Sequence, residues 1–122
     1  MPPVSPPMPP PVLVACLCAA WCGACRDYRA LFDAQAAHAG DGARFVWVDI
    51  EDDEAALGDV DVLDFPTLLV ARGDAALFFG PVMPHAQTLA RVLRSAVDGE
   101  LAPIPAEALD GLPQRLIDFA RG

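Results

Sequence analysis

Apolar residues recur along the chain with two different spacings, which predict alternating strands and helices. Continuous or alternating apolar runs of strand length lie at residues 12–18, 45–50, 67–71 and 75–79. Apolar residues at helical spacing lie at 25–39, 53–57 and 85–97. The predicted order β-α-β-α-β-β-α is that of an α/β fold. We expect right-handed parallel crossovers where helices separate the strands, and a late hairpin that adds an antiparallel edge to a mixed sheet.

The two ends of the chain differ from this regular middle. Seven of the 13 prolines fall in residues 1–11, a composition that favours an extended tail, with a polyproline ligand for a partner domain as the alternative. Near the other end, an apolar stripe consists of Leu109, Leu112, Leu116, Ile117 and Phe119. These side chains must be buried against another part of the protein. We expect residues 106–120 to pack on the sheet, with Pro113 starting the second part of this segment. The predicted division is a tail (1–11), a domain (12–99) and a helical extension (100–122).

Charge and cysteine placement narrow the classes of function. The net charge of -9 comes from 17 acidic residues against 8 basic ones, all arginine, so no basic face is expected for nucleic acid or an anionic membrane. The four cysteines, Cys16, Cys18, Cys22 and Cys25, all lie within the first 25 residues and cannot tie distant loops together. No basic residue precedes Arg26, so a secretory signal is not expected, and we predict a cytoplasmic protein with reduced thiols.

The segment Trp21-Cys22-Gly23-Ala24-Cys25 stands where the first strand passes into the first helix. A helix N-terminus offers unpaired N–H groups and a positive partial charge, both of which stabilise a thiolate. Cys22 is therefore the predicted nucleophile. Cys25, one helical turn further on, is the predicted resolving residue that attacks the mixed disulfide formed by Cys22.

With these residues the chain resembles the thioredoxin family, through Trp21 to Cys25 and through Phe65-Pro66-Thr67 followed by Leu68-Leu69-Val70. The resemblance covers about residues 12–98 and implies a thioredoxin-like three-layer sandwich. It also implies a cis proline at Pro66 beside the cysteine pair, with the backbone just before it pairing with substrate. The substrate-binding residues that it implies are Trp21, Gly23, Ala24, Phe65, Pro66 and Gly80.

The sequence departs from the family pattern in five places. Ala24 replaces the usual proline, which adds a backbone N–H near Cys22 and predicts a less reducing site. Cys16 replaces the buried acid that normally accepts the proton of the resolving cysteine, and its lysine neighbour aligns near Phe45. Cys18 replaces an aromatic residue, and Asp64 replaces a glycine two residues before the proline. The family's first strand and helix are not expected, because only the proline tract precedes Val12.

Other chemistries remain as alternatives. Four cysteines could bind zinc or copper. Cys16 and Cys18 are expected to face one side of the strand together, whereas Cys22 and Cys25 belong to the helix start, so the four thiols are not expected to converge on one ion. Cys16 and Cys18 are then interpreted as small buried hydrophobes, with a redox role as the alternative. The acidic run from Asp49 to Asp64 is expected to be a solvated edge, and a cation site or a basic partner is the other interpretation. His38 and His85 are interpreted as helix-end residues, with metal ligation as a minor alternative.

The predicted function is thiol-disulfide exchange with protein or small-molecule disulfides, without a bound cofactor. The expected partners are disulfide-containing proteins and a thioredoxin reductase or a thiol such as glutathione, and we expect a monomer. The alternative is a thioredoxin-like interaction module that presents its groove to one dedicated partner, with incidental redox activity.

Overall fold

The computed structural model describes residues 12–19, 23–39, 43–58, 60, 62, 65–73, 75–82, 85–105, 109 and 111–120. The tail at residues 1–11, interpreted from its prolines, lies outside the described residues. The helices that are described are too short or too polar to cross a membrane.

Four strands form one mixed sheet in the described part of the chain. They are β1 (Val12–Cys18), β2 (Ala43–Asp49), β3 (Thr67–Arg72) and β4 (Ala75–Pro81), in the spatial order β2-β1-β3-β4. All seven residues of β1 are buried, as expected for an apolar run covered on both faces. The β3–β4 hairpin is antiparallel, which confirms the edge predicted from Arg72, Gly73 and Asp74.

The direction of β3 differs from the prediction. β2 runs parallel to β1, but β3 runs antiparallel to it, so the crossover expected between β2 and β3 is not a parallel one. The helix α1 (Gly23–Ala39) has 17 residues and spans about 25 Å, enough to return the chain along a seven-residue strand. The helix α2 (Glu54–Leu57) has only 4 residues and spans about 6 Å. α2 cannot return the chain to the end of the sheet where β1 and β2 begin, so β3 enters the sheet from the opposite end.

The first core lies between the sheet, α1 and α3 (Ala86–Val97). Successive side chains of a strand point to opposite faces, so alternate residues of β1 enter it. The buried members from the strand and the two helices are Val12, Val14, Cys16, Cys18, Cys25, Tyr28, Phe32, Leu89, Leu93 and Ala96. Val97 was expected on the same face of α3, but it follows the last buried turn and is 51% exposed.

The second core lies on the other face of the sheet, under α2 and α4 (Leu112–Ala120). Its members from β1, α2 and the C-terminal segment are Leu13, Ala15, Leu17, Leu57, Leu109, Leu112 and Leu116. Ile117 and Phe119 pack against it, so the described part of the apolar stripe covers this face of the sheet. Pro113 stands in the first turn of α4, a position where its missing N–H costs no helical hydrogen bond. Both faces of the sheet are therefore covered, giving three layers.

Candidate redox site

Cys18 and Cys25 are joined as a disulfide in the structure. Cys18 is the last residue of β1 and Cys25 lies in the first turn of α1, with their Cα atoms 5.8 Å apart. Each residue is only 1% exposed. The bond therefore links the end of the central strand to the start of the helix that covers it, beneath the surface.

Cys16 lies beside this bond. Its Sγ is 3.5 Å from the Sγ of Cys18, because residues two apart on a strand point to the same face. Burial raises the pKa of the Cys16 thiol from 9.0 to about 12, against the opposing effect of the positive Arg29. Cys16 thus stays protonated near neutral pH. It cannot take over the proton-accepting role of the acid that the family resemblance places at this position.

The grouping of three cysteines corrects the sequence-based interpretation. We did not expect the strand cysteines to converge with the helix cysteines, and we interpreted Cys18 as a small buried hydrophobe. The connection from Cys18 to Gly23 is short, so the first turn of α1 lies against the end of β1 and brings Cys25 to Cys18. Strand alternation predicts that Cys16 and Cys18 share a face, and the structure confirms it, but alternation does not show which helix covers that face.

Two of the predicted site residues, Trp21 and Cys22, lie outside the described residues. Gly23 and Ala24, which follow them, are the first two residues of α1 and are exposed. A Cβ built on Gly23 would have no atom within 4 Å, so the backbone there is open on its outer side. The start of α1 is accessible, whereas Cys25 is not.

The second predicted motif lies against the same core. The Phe65–Pro66 peptide bond is cis, the isomer that the resemblance implies. Phe65 packs on the first core, which contains both Cys18 and Cys25. Pro66 is buried, and its carbonyl oxygen accepts a hydrogen bond of 3.1 Å from the backbone N–H of Val82. This hydrogen bond holds the residue before β3 next to the residue that follows β4.

Gly80 lies in β4 and pairs with Leu68, two residues after Pro66. It is partly exposed, and the nearest atom to a Cβ built on it is the Phe78 ring at 4.0 Å. The structure therefore places Gly80 on the strand next to the Phe65–Pro66 segment, at a position with room beside the backbone.

Tyr28 of α1 is a residue of this region that was not predicted to have a functional role. Its side chain is fully buried in the first core, and its hydroxyl has no hydrogen-bond partner among the described residues. Burial raises the pKa of Tyr28, and the negative form of Cys16 raises it further. Tyr28 and Cys16 thus form a polar but uncharged pair inside an apolar layer.

The acidic run is partly a structured turn. The Asp49 carboxylate accepts hydrogen bonds from the N–H groups of Glu51 and Asp52, at 2.9 and 3.2 Å. The Asp53 carboxylate accepts one from the N–H of Asp49 at 3.2 Å. These bonds give the acids a local role in ending β2. Asp64 lies outside the described residues.

The described side chains contain no group of three or more His, Cys, Asp and Glu placed to hold a metal ion. His38 is exposed in the last turn of α1, and His85 is exposed at the N-cap of α3. Both histidines therefore lie at helix ends, as expected.

A family model described as Thioredoxin matches residues 8–93. The chain belongs to the thioredoxin family. Its mixed four-stranded sheet with helices on both faces is the α/β fold of that family. No curated protein sequence matches the chain significantly.

Several solved thioredoxin structures are similar to this family member. The germline-specific thioredoxin Deadhead of Drosophila melanogaster has 19% identity and a TM-score of 0.63, with 70% of this chain and 80% of that chain covered. A thioredoxin of Fasciola hepatica has 22% identity and a TM-score of 0.62, with 69% and 80% covered. A thioredoxin of Trypanosoma brucei brucei has 24% identity and a TM-score of 0.61, with 72% and 76% covered. At these identities the likeness shows the shared fold.

Proposed function

We propose that the protein is a thiol-disulfide oxidoreductase in which Cys22 is the nucleophile and Cys25 the resolving residue. The observation that carries the proposal is the position of Cys25. It lies buried in the first turn of α1, a helix that begins at Gly23, the residue directly after Cys22 in the sequence. A thiol at a helix N-terminus is stabilised as a thiolate. Two cysteines three residues apart, of which Cys25 is buried, divide attack and resolution between them.

The reaction transfers two electrons to the substrate. The Cys22 thiolate attacks one sulfur of a substrate disulfide, which breaks that bond and releases the first substrate thiol after protonation. Cys25 then attacks Cys22, so that the mixed disulfide breaks, a Cys22–Cys25 disulfide forms and the second substrate thiol leaves. The substrate gains two electrons and two protons, and the cysteine pair loses them. A flavoprotein reductase or a dithiol restores the reduced pair.

Substrate recognition is assigned to the surface around this pair. Phe65 packs on the core that contains Cys25, and the cis bond to Pro66 turns the chain at that point. We place an extended substrate segment along the backbone before Pro66, with Trp21 and Gly80 bordering it. Disulfide-containing proteins are the substrates that such a backbone surface fits.

We assign residues 12–99 to the redox domain and residues 100–122 to an extension packed on it. Leu112 and Leu116 support this assignment, because both are fully buried in the second core, away from the cysteines. The reaction needs a compartment where thiols stay reduced, such as the cytoplasm.

Insulin reduction by dithiothreitol tests the proposal, with the full chain as catalyst and turbidity of the released B chain as the readout. Wild type should accelerate precipitation, and Cys22→Ser should abolish the acceleration. Cys16→Ala is the matched control, since it removes a cysteine that stays protonated, and it should retain most of the activity. Absence of acceleration by wild type would contradict the proposal and favour the interaction module.

A further inference from the structure

We propose that Cys18 is a third redox-active cysteine. By internal thiol-disulfide exchange it replaces Cys22 as the disulfide partner of Cys25, and Cys22 becomes a free thiol in the oxidised protein. This inference rests on the proposed function of the Cys22–Cys25 pair and adds a step to it. Its result is an oxidised state in which the disulfide is buried and the nucleophile is available again.

The placement of Cys25 carries the inference. Cys22 lies three residues before it in sequence, which is the spacing of the predicted active pair. Cys18 is paired with it across the junction of β1 and α1, at a Cα separation of 5.8 Å that falls within the usual range for disulfides. Cys25 can bond only one partner at a time, so the two pairings are alternative states of one site.

The exchange leaves the oxidation state of the protein unchanged. The Cys18 thiolate attacks the Sγ of Cys25, the Cys22–Cys25 bond breaks and the Cys18–Cys25 bond forms. Cys22 leaves as a thiolate and the proton released by Cys18 passes to it or to water. Cys18 is oxidised, Cys22 is reduced and Cys25 is unchanged. Cys22 directly precedes Gly23, the first residue of α1, and a thiolate beside a helix N-terminus is a good leaving group.

Burial limits the routes by which the Cys18–Cys25 bond can be reduced. Cys18 and Cys25 are each 1% exposed, so an external thiol does not reach their bond directly. Reduction must then begin with Cys22 attacking Cys25, which reverses the exchange. The Sγ of Cys16 lies 3.5 Å from the Sγ of Cys18, yet Cys16 is a free thiol in the structure, so the bond to Cys25 is made by Cys18.

The test is a disulfide map of the oxidised full-length protein. The reduced protein is oxidised with one equivalent of diamide, which removes two electrons, and is then denatured in acid and alkylated with N-ethylmaleimide. All four cysteines precede or adjoin Arg26, so trypsin leaves them on one peptide. Chymotrypsin cleaves after Trp21 and separates Cys18 from Cys22 and Cys25. A Cys18–Cys25 bond then joins two peptides, whereas a Cys22–Cys25 bond closes a loop within one.

We expect most of the oxidised wild type to yield the joined peptides, with Cys22 and Cys16 alkylated. Cys18→Ala, or Cys18→Ser if that variant is unstable, should instead yield the loop, with Cys22 unlabelled. Cys16→Ala is the matched control and should keep the wild-type map. A loop in most of the wild-type protein, or a Cys16–Cys18 bond, would overturn the inference. Failure of the proposed function is distinct, because it appears as a lack of insulin reduction whatever the map.

Discussion

The guanidinium of Arg115 occupies the space that a side chain would need at Gly58. A Cβ built on Gly58 would lie 2.7 Å from the Cζ of Arg115, and the φ of Gly58 is +62°. Arg115 also donates hydrogen bonds of 3.2 and 2.7 Å to the carbonyl oxygens of Ala56 and Leu57. The carbonyls at the end of α2 are thus satisfied by a side chain from α4, which holds the C-terminal helix against the domain.

Gly58→Ala should destabilise the protein by about 2–4 kcal/mol. About 1–2 kcal/mol comes from the positive φ, and the rest comes from displacing the charged hydrogen bonds of Arg115. Gly99→Ala is the control, because Gly99 also has a positive φ, +76°, but no atom lies within 4 Å of its Cβ position. Urea unfolding monitored by circular dichroism measures both. Equal losses of stability in the two variants would show that the hydrogen bonds of Arg115 do not depend on the missing side chain at Gly58.

Leu116→Ala should cost about 2–5 kcal/mol of stability, because Leu116 is fully buried in the second core and its truncation leaves a cavity. Gln114→Ala in the same helix is the control, since Gln114 is exposed and should change stability by no more than about 0.5 kcal/mol. Thermal unfolding of the two variants makes the comparison. A melting temperature of Leu116→Ala equal to that of wild type would mean that α4 does not stabilise the domain.

Local features of the chain were predictable because their causes are local. The start of β1 follows from the apolar run that begins at Val12 after the proline tract, and the structure places all seven residues of the strand in the interior. The end of α1 at Ala39 follows from the glycines after it. The packing of Leu112 and Leu116 follows from an apolar stripe that needs cover.

Features that depend on distant segments were not predictable in the same way. The direction of β3 is determined by where a long, mostly irregular connection delivers the chain, which periodicity does not report. The pairing of Cys18 with Cys25 depends on the angle at which α1 leaves β1. Spacing predicted a pair of cysteines within the helix turn, and it carried no information about a partner on the strand beneath.

Tyr28 should resist ionisation in the folded protein. Burial and the nearby Cys16 raise its pKa above the ordinary value of about 10, so the folded state keeps a proton that the unfolded state releases. The free energy of unfolding should therefore fall as the pH rises above about 10. Tyr28 is the single tyrosine of the chain, so absorbance near 295 nm reports it alone.

We expect tyrosinate absorbance to stay low through pH 10 and to rise only as circular dichroism shows unfolding. In urea, where the protein is unfolded, the tyrosinate absorbance should rise with a midpoint near pH 10. Tyr28→Phe should lose less stability above pH 10 and should not be destabilised at neutral pH, because the hydroxyl has no partner among the described residues. A titration near 10 in the folded protein would contradict the buried position of Tyr28.

Trapping a substrate on Cys25→Ser tests the division of roles between the two cysteines of the proposed active pair. The reduced variant is mixed with insulin, quenched with acid, digested with chymotrypsin and analysed by mass spectrometry. Without Cys25 to resolve it, the mixed disulfide should persist, and we expect the insulin peptide to be bound to Cys22. Wild type, treated in the same way, should release the substrate and show no lasting adduct. An adduct on Cys16 or Cys18, or none on Cys22 in Cys25→Ser, would contradict the assignment of Cys22 as the nucleophile.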